Sequence, residues 1–238
     1  MDATMTIEKA HSEPRASGDE SFEPPDDCPL CPRLVEFRAR NRTAFPDFFN
    51  APVPAFGAAN PRLLIVGLAP GLKGANRSGR PFTGDYAGDL LYPTLLKFGF
   101  ATGQYGADPD DGLTLVESTI TNAVRCVPPA NKPTTPEIRT CRQFLVQDLS
   151  NQANLRAILA LGRIAHESVL AALGKKRAAF PFAHGAEHEV EPGLRLFDSY
   201  HCSRYNTNTG RLTTEMFEAV ISRIRACLDA PPAPSRDL

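Results

Sequence analysis

Four short, β-rich runs interleaved with helical patterns restrict what this chain can fold into more than any other feature. The runs are RLLIVG (62–67), ESTITNAV (117–124), RAILALG (156–162) and LRLFDSY (194–200), and helical periodicity covers roughly 88–99, 136–149, 163–173 and 212–228. A further helix is expected after DDCP, with Leu30, Leu34 and Phe37 along one face. Strands that alternate with helices argue for parallel pairing, because parallel neighbours need crossover connections that then cover the sheet. The expected class is α/β: a three-layer αβα sandwich around a central, mainly parallel four-stranded sheet. Ligands of such sheets bind beyond the carboxyl ends of the strands. The glycine-rich stretch after the first run, Asn122 and Cys126 after the second, and YHCSRYNTNTGRLT after the fourth therefore belong at one sheet edge, around one cleft.

The chain has 238 residues, 42% of them apolar, enough for one generous core. It has no apolar stretch near the ~20 residues a membrane span needs, and its first residues lack the apolar middle of a signal peptide. A cytoplasmic protein without a membrane partner is expected. The net charge of −1 is unevenly spread. Residues 1–27 carry eight acids and two bases, a balance of −6, so the remainder carries +5. That polar, proline-containing stretch reads as a disordered acidic tail, residues 28–229 as the folded domain and 230–238 as a flexible tail. A mildly basic body is compatible with a polyanionic partner.

The stretch GLAPGLKGANRSG (67–79) fits no phosphate-binding signature. Gly74 stands where a P-loop has Ser or Thr after its lysine, and Pro70 removes a backbone donor. Small residues still allow a flat ring to approach the backbone, so the loop is either one wall of a ring-binding pocket or a tight turn with no ligand. Six cysteines in a cytoplasmic chain argue against a disulfide framework. Cys28 and Cys31 form a CxxC pair that precedes any strand, unlike a thioredoxin-type motif. With Cys126 and Cys141 they make a four-thiolate set for zinc or an iron–sulfur cluster, and the spacing does not choose between them. Cys202 and Cys227 read as buried thiols.

Taken together, GLAPGLKGANRSGRPFTGD, TNAVRCVPPANKPTTPEIRTC and HCSRYNTNTGRLT, in that order behind an N-terminal CxxC, resemble the iron–sulfur uracil-DNA glycosylases, most closely family 5 (type b). The resemblance spans roughly residues 28–228. Leu68 stands where the sister family 4 has Glu, and Cys202 replaces the proline of the family's His-Pro-Ser motif.

The resemblance implies hydrolysis of the N-glycosidic bond of uracil in DNA, after the nucleotide has swung out of the duplex. It implies that Asn122 reads the uracil edge, that Phe82 stacks on the base, and that Gly67, Leu68 and Ala69 line the base pocket. His201 is implied to stabilise charge on the departing base, and Asp85, with Asp89 as a rival, to position water. Ser203, Arg204 and Asn206 are implied DNA contacts, and Cys28, Cys31, Cys126 and Cys141 are implied ligands of a 4Fe–4S cluster. The expected enzyme is a monomeric, monofunctional glycosylase whose base range extends to hypoxanthine or other damaged bases. The alternative is a non-catalytic or covalent binder of damaged or abasic DNA on the same fold.

Overall fold

The computed structural model describes residues 23–231. In chain order it contains helix α1 (Pro32–Ala44), strands β1 (Phe56–Gly57) and β2 (Leu63–Gly67), helices α2 (Ala75–Ser78) and α3 (Tyr86–Lys97), and strands β3 (Ala101–Thr102), β4 (Thr114–Leu115) and β5 (Ser118–Asn122). Helix α4 (Thr135–Ser150), strand β6 (Ala157–Leu161), helix α5 (Arg163–Ala172), strands β7 (Glu187–Glu191) and β8 (Leu194–Ser199), and helices α6 (Arg204–Asn208) and α7 (Thr214–Asp229) follow.

The main sheet has the order β1-β5-β2-β6-β8-β7. Its four inner strands are the four expected from the sequence, and they pair in parallel. Three of them, β2, β5 and β6, are buried along their whole length. Two antiparallel edge strands were not expected. β1 is two residues long, and β7 reads EHEVE, whose charges hide its strand character and blunt an open edge.

Alternation along the inner strands divides the core in two. Leu63, Ile65, Ile120, Leu159 and Phe197 face Leu91 and Leu95 of α3 and Phe217, Ile221 and Ile224 of α7. Leu64, Val66, Ile158, Ala160 and Leu196 face Val169 and Leu170 of α5 and Leu145 of α4. Each such buried side chain contributes about 1.5–3 kcal/mol, and two helical layers on one sheet result.

α1 lies apart from these layers; its Leu34 packs against Val124, Cys141 and Phe144, and polar bonds add to the attachment. Arg33 donates twice to the Glu137 carboxylate at 2.7 Å, and Glu137 also closes the capping box of α4 with Thr134. Residues 1–22 and 232–238, which hold most of both expected tails, lie outside the described residues. Residues 23–27 fall within the expected acidic tail, yet Glu23 accepts a bond from the Ala55 amide at 2.9 Å and stands 3.4 Å from Arg125. Cys202 is fully buried, whereas Cys227 is half-buried. No helix among the described residues is long and apolar enough to cross a membrane.

Candidate active site

In-register pairing sets Gly67, the last residue of β2, beside Asn122, the last residue of β5. The chain turns away at both points and leaves a cleft of about 1760 Å³, open solvent included. Its walls are the 68–75 loop, Phe82, Asp85 and Tyr86 before and within α3, Asn122, Asn131, and His201, Ser203 and Arg204 after β8. Three regions far apart in sequence thus meet at the edge where strand polarity places ligands.

The glycines of the opening loop make room for side chains. A Cβ at Gly67 would lie 2.3 Å from Asn122 Oδ1 and 2.6 Å from Phe82 Cζ, and one at Gly74 would lie 2.5 Å from Asp85 Oδ2. Bare backbone at these two positions is what lets Asn122, Phe82 and Asp85 reach the cleft wall.

Phe82 has a left-handed backbone, φ 54°, which costs a residue with a side chain about 1–2 kcal/mol. Its neighbours hold it there. Arg80 makes a buried two-pronged ion pair with Asp111, at 2.8 and 2.7 Å, and donates to Thr83 Oγ1 at 2.7 Å. The Tyr92 hydroxyl donates to the Pro81 carbonyl, and Tyr105 to that of Phe82. The Phe82 carbonyl lies where a Cβ of Gly88 would be, 1.9 Å away, so α3 needs glycine at that position. The Phe82 and His201 rings stand 5.9 Å apart, tilted by 33°.

Asp85 caps α3: one carboxylate oxygen accepts from the Ala87 and Gly88 amides at 3.1 and 3.2 Å. The other oxygen faces the Gly71–Gly74 turn inside the cleft. Burial raises the carboxyl above its ordinary value, partly offset by the two amide bonds. Capping and cleft-facing positions are thus shared between the two oxygens of one group. Asp89 is exposed and does not line the cleft. Asp85→Asn keeps a capping oxygen and is expected to melt near the wild-type temperature, whereas Asp85→Ala should lose about 1 kcal/mol of stability, which thermal melts of the two variants check.

Burial drives the His201 imidazole down to about 4, with no charged partner contributing. The ring is therefore neutral at physiological pH and offers one N–H. The Asn206 side chain donates to the His201 carbonyl at 2.8 Å and does not line the cleft. Ser203 caps α6, a short helix not among those expected from the sequence, and Arg204 lies over the Tyr86 ring at 5.3 Å. Leu68 and Ala69 line the cleft as expected, and Gly67 lies behind Asn122 and Phe82. Tyr86 and Asn131 also line it and were not singled out. For Asn131 a signal existed: asparagine tolerates left-handed backbone, and φ here is 55°.

Cys28, Cys31, Cys126 and Cys141 border a second, narrow hollow of about 320 Å³ with open solvent included, with Leu34, Val124 and Phe144 as apolar walls. All four are free thiols. Burial pushes Cys126 up to about 12 and Cys141 to about 11, and neighbouring thiolates add to both. Arg38 donates to Cys126 Sγ at 3.8 Å and the Arg125 amide to Cys141 Sγ at 3.3 Å. Among the described residues no three or more His, Cys, Asp or Glu side chains are grouped so as to hold a metal ion. A lone zinc ion would need its donors about 2.3 Å from one point. The four thiols that border the hollow, two of them (Cys126 and Cys141) also accepting N–H bonds, are of the donor type that an iron–sulfur cluster takes.

The family model described as Uracil DNA glycosylase superfamily matches residues 54–225. The chain belongs to the uracil-DNA glycosylase superfamily. It is 46% identical to the "Type-5 uracil-DNA glycosylase" of Thermus thermophilus over 82% of this chain and 90% of that protein. It is 38% identical to the Type-5 protein of Pyrobaculum aerophilum over 93% and 98% of the two chains. The "Type-4 uracil-DNA glycosylase" of the same archaeon matches at 33% over 52% of this chain. These likenesses place this glycosylase-superfamily chain in the type-5 branch, in accord with Leu68 in the first motif. The superfamily match begins after α1, so Cys28 and Cys31 stand outside it.

Proposed function

We propose that this chain is a monofunctional uracil-DNA glycosylase of DNA repair, acting on a nucleotide swung out of the DNA stack. One observation carries the reading: Phe82, Asn122, His201 and Asp85 line or floor a single cleft at the end of the parallel sheet. Extrusion costs a few kcal/mol, less at an unpaired or mismatched base, and the pocket must return it. Phe82 supplies a ring for the base to stack on, a contact worth ~1–3 kcal/mol. The Asn122 amide has both a donor and an acceptor, matching the acceptor and N–H on the pairing edge of uracil. The C1′–N1 bond breaks with its electrons passing to the base. The neutral His201 N–H donates to the base oxygen where negative charge gathers. Asp85 Oδ2 accepts from a water whose oxygen joins C1′; one water proton passes to the carboxylate and the uracil anion is protonated in turn. Ser203 and Arg204 border the mouth, where DNA phosphates pass.

The four cysteines are the candidate ligands of a 4Fe–4S cluster. When bound, such a cluster supplies a covalent cross-link between α1 and the 126–141 segment, and hydrolysis asks no electron transfer of it. Purified protein is expected to be brown, with broad visible absorbance. Cys126→Ser should remove the colour and lower the melting temperature, and a colourless, fully stable wild-type protein would overturn the cluster. Hypoxanthine and other deaminated bases are proposed as further substrates, the working form as a cytoplasmic monomer.

The direct test uses a labelled duplex with one uracil, followed by alkali. Strand cleavage after alkali alone is expected. A shifted but uncut band would replace the reading with a binder, and a gel-stable adduct with a covalent abasic-site protein.

A further inference from the structure

Arg163, Arg204 and Arg211 share an arrangement unlike that of the other arginines. Each lies over an aromatic ring: Arg163 over Phe182 at 5.2 Å, Arg204 over Tyr86 at 5.3 Å and Arg211 over Tyr200 at 4.5 Å. Arg40, Arg80, Arg223 and Arg225 also rest on rings, but each is paired with a carboxylate: Glu36, Asp111, Glu187 and Glu117 respectively. Among the described residues the first three have no carboxylate partner, and all three are exposed. Their charge is directed at solvent, while the ring fixes one face of each guanidinium and leaves its N–H edges free.

These arginines also share a location. Arg163 opens α5 directly after Gly162, where a Cβ would lie 3.5 Å from that of His201. Tyr200 immediately precedes His201, and its ring stands 6.3 Å from that of Phe182. Arg163, Phe182, Tyr200 and Arg211 therefore form a continuous ridge that starts at the His201 side of the cleft. Held cations with free donor edges suit phosphodiesters, which accept in a plane and carry one charge per nucleotide.

We infer that this ridge is a phosphate track: Arg163 and Arg211 hold the backbone of the DNA flanking the extruded nucleotide, extending the contact begun by Arg204. The inference rests on the cleft being the site of the swung-out base. Stacked arginines lose less freedom on binding than free side chains, so the track adds affinity without reading sequence.

The test compares wild type, Arg163→Gln, Arg211→Gln, the double variant and the double Arg→Lys variant. Binding to a uracil-free duplex is followed by anisotropy, and KM on a uracil duplex is measured, both between 50 and 200 mM salt. The double Gln variant should lose at least tenfold in affinity, with the loss falling chiefly on KM. Its log–log salt slope should shrink by about two, and that of each single by about one. The Lys pair should restore the slope. An unchanged slope in both singles and the double overturns the track, as does a Lys pair as impaired as the Gln pair. If wild type excises no uracil, the cleft's assignment fails, while the slope on uracil-free duplex still decides the ridge.

Discussion

His201→Ala is expected to slow uracil excision by about 10²–10³-fold while DNA affinity stays near that of wild type. The magnitude is that of removing one placed donor from a developing oxyanion in a water-poor site. The selectivity follows from position: the ring lies in the cleft beside Phe82, whereas Arg204, proposed for phosphate, is exposed. Single-turnover rates and anisotropy on the same duplex measure both halves, and a variant that turns over normally removes the role. The pH behaviour gives an independent check. Folding lowers the imidazole from 6.5 to about 4, so between those values the unfolded chain binds the proton that the folded chain does not. Above 6.5 neither state is protonated and the ring costs no stability; a penalty grows as pH falls from 6.5 to about 4 and is flat below. The melting temperature of wild type relative to His201→Ala should fall across that window, with His184 cancelling because it is present in both.

Gly67→Ala is expected to lower kcat/KM by about 10² or more and to leave a folded protein. The new methyl would overlap Asn122 Oδ1 and Phe82 Cζ, both tips of side chains that border open space, so they are displaced and the backbone is not. Overpacking of this kind costs about 1–3 kcal/mol of stability, and a misplacement near 1 Å costs about 10² in rate. Excision kinetics with thermal melts distinguish the outcomes. A variant that works as well as wild type would mean that Asn122 and Phe82 do not touch the base.

The parallel core was legible because its strands are buried on both faces and so read as runs of apolar and β-branched residues between amphipathic helices. The edge strands were not, since β7 is written in charges and β1 is two residues long. Gathering Gly67, Asn122 and His201 at one rim needed only strand polarity, a rule that works without knowing what binds. What sequence could not supply was the division of labour within a side chain or loop. Asp85 serves both as cap and as cleft wall, and the Asn206 side chain donates to the His201 carbonyl. Tyr86 gave no signal because its part depends on Arg204, which lies more than a hundred positions away. Arg163 and Arg211 carry no sequence signal, because what distinguishes them is a ring contact made through the fold.

The left-handed Phe82, locked by Arg80, Asp111 and the hydroxyls of Tyr92 and Tyr105, has a thermodynamic corollary. Its ordering is completed when the chain folds, so an arriving nucleobase meets a surface already in its final shape. Under the proposed role, Phe82 itself then needs no rearrangement on encounter, and the slow event is expected to lie with the nucleic acid. Lesions that loosen the helix locally, rather than changes in the enzyme, should therefore set how fast a base is captured.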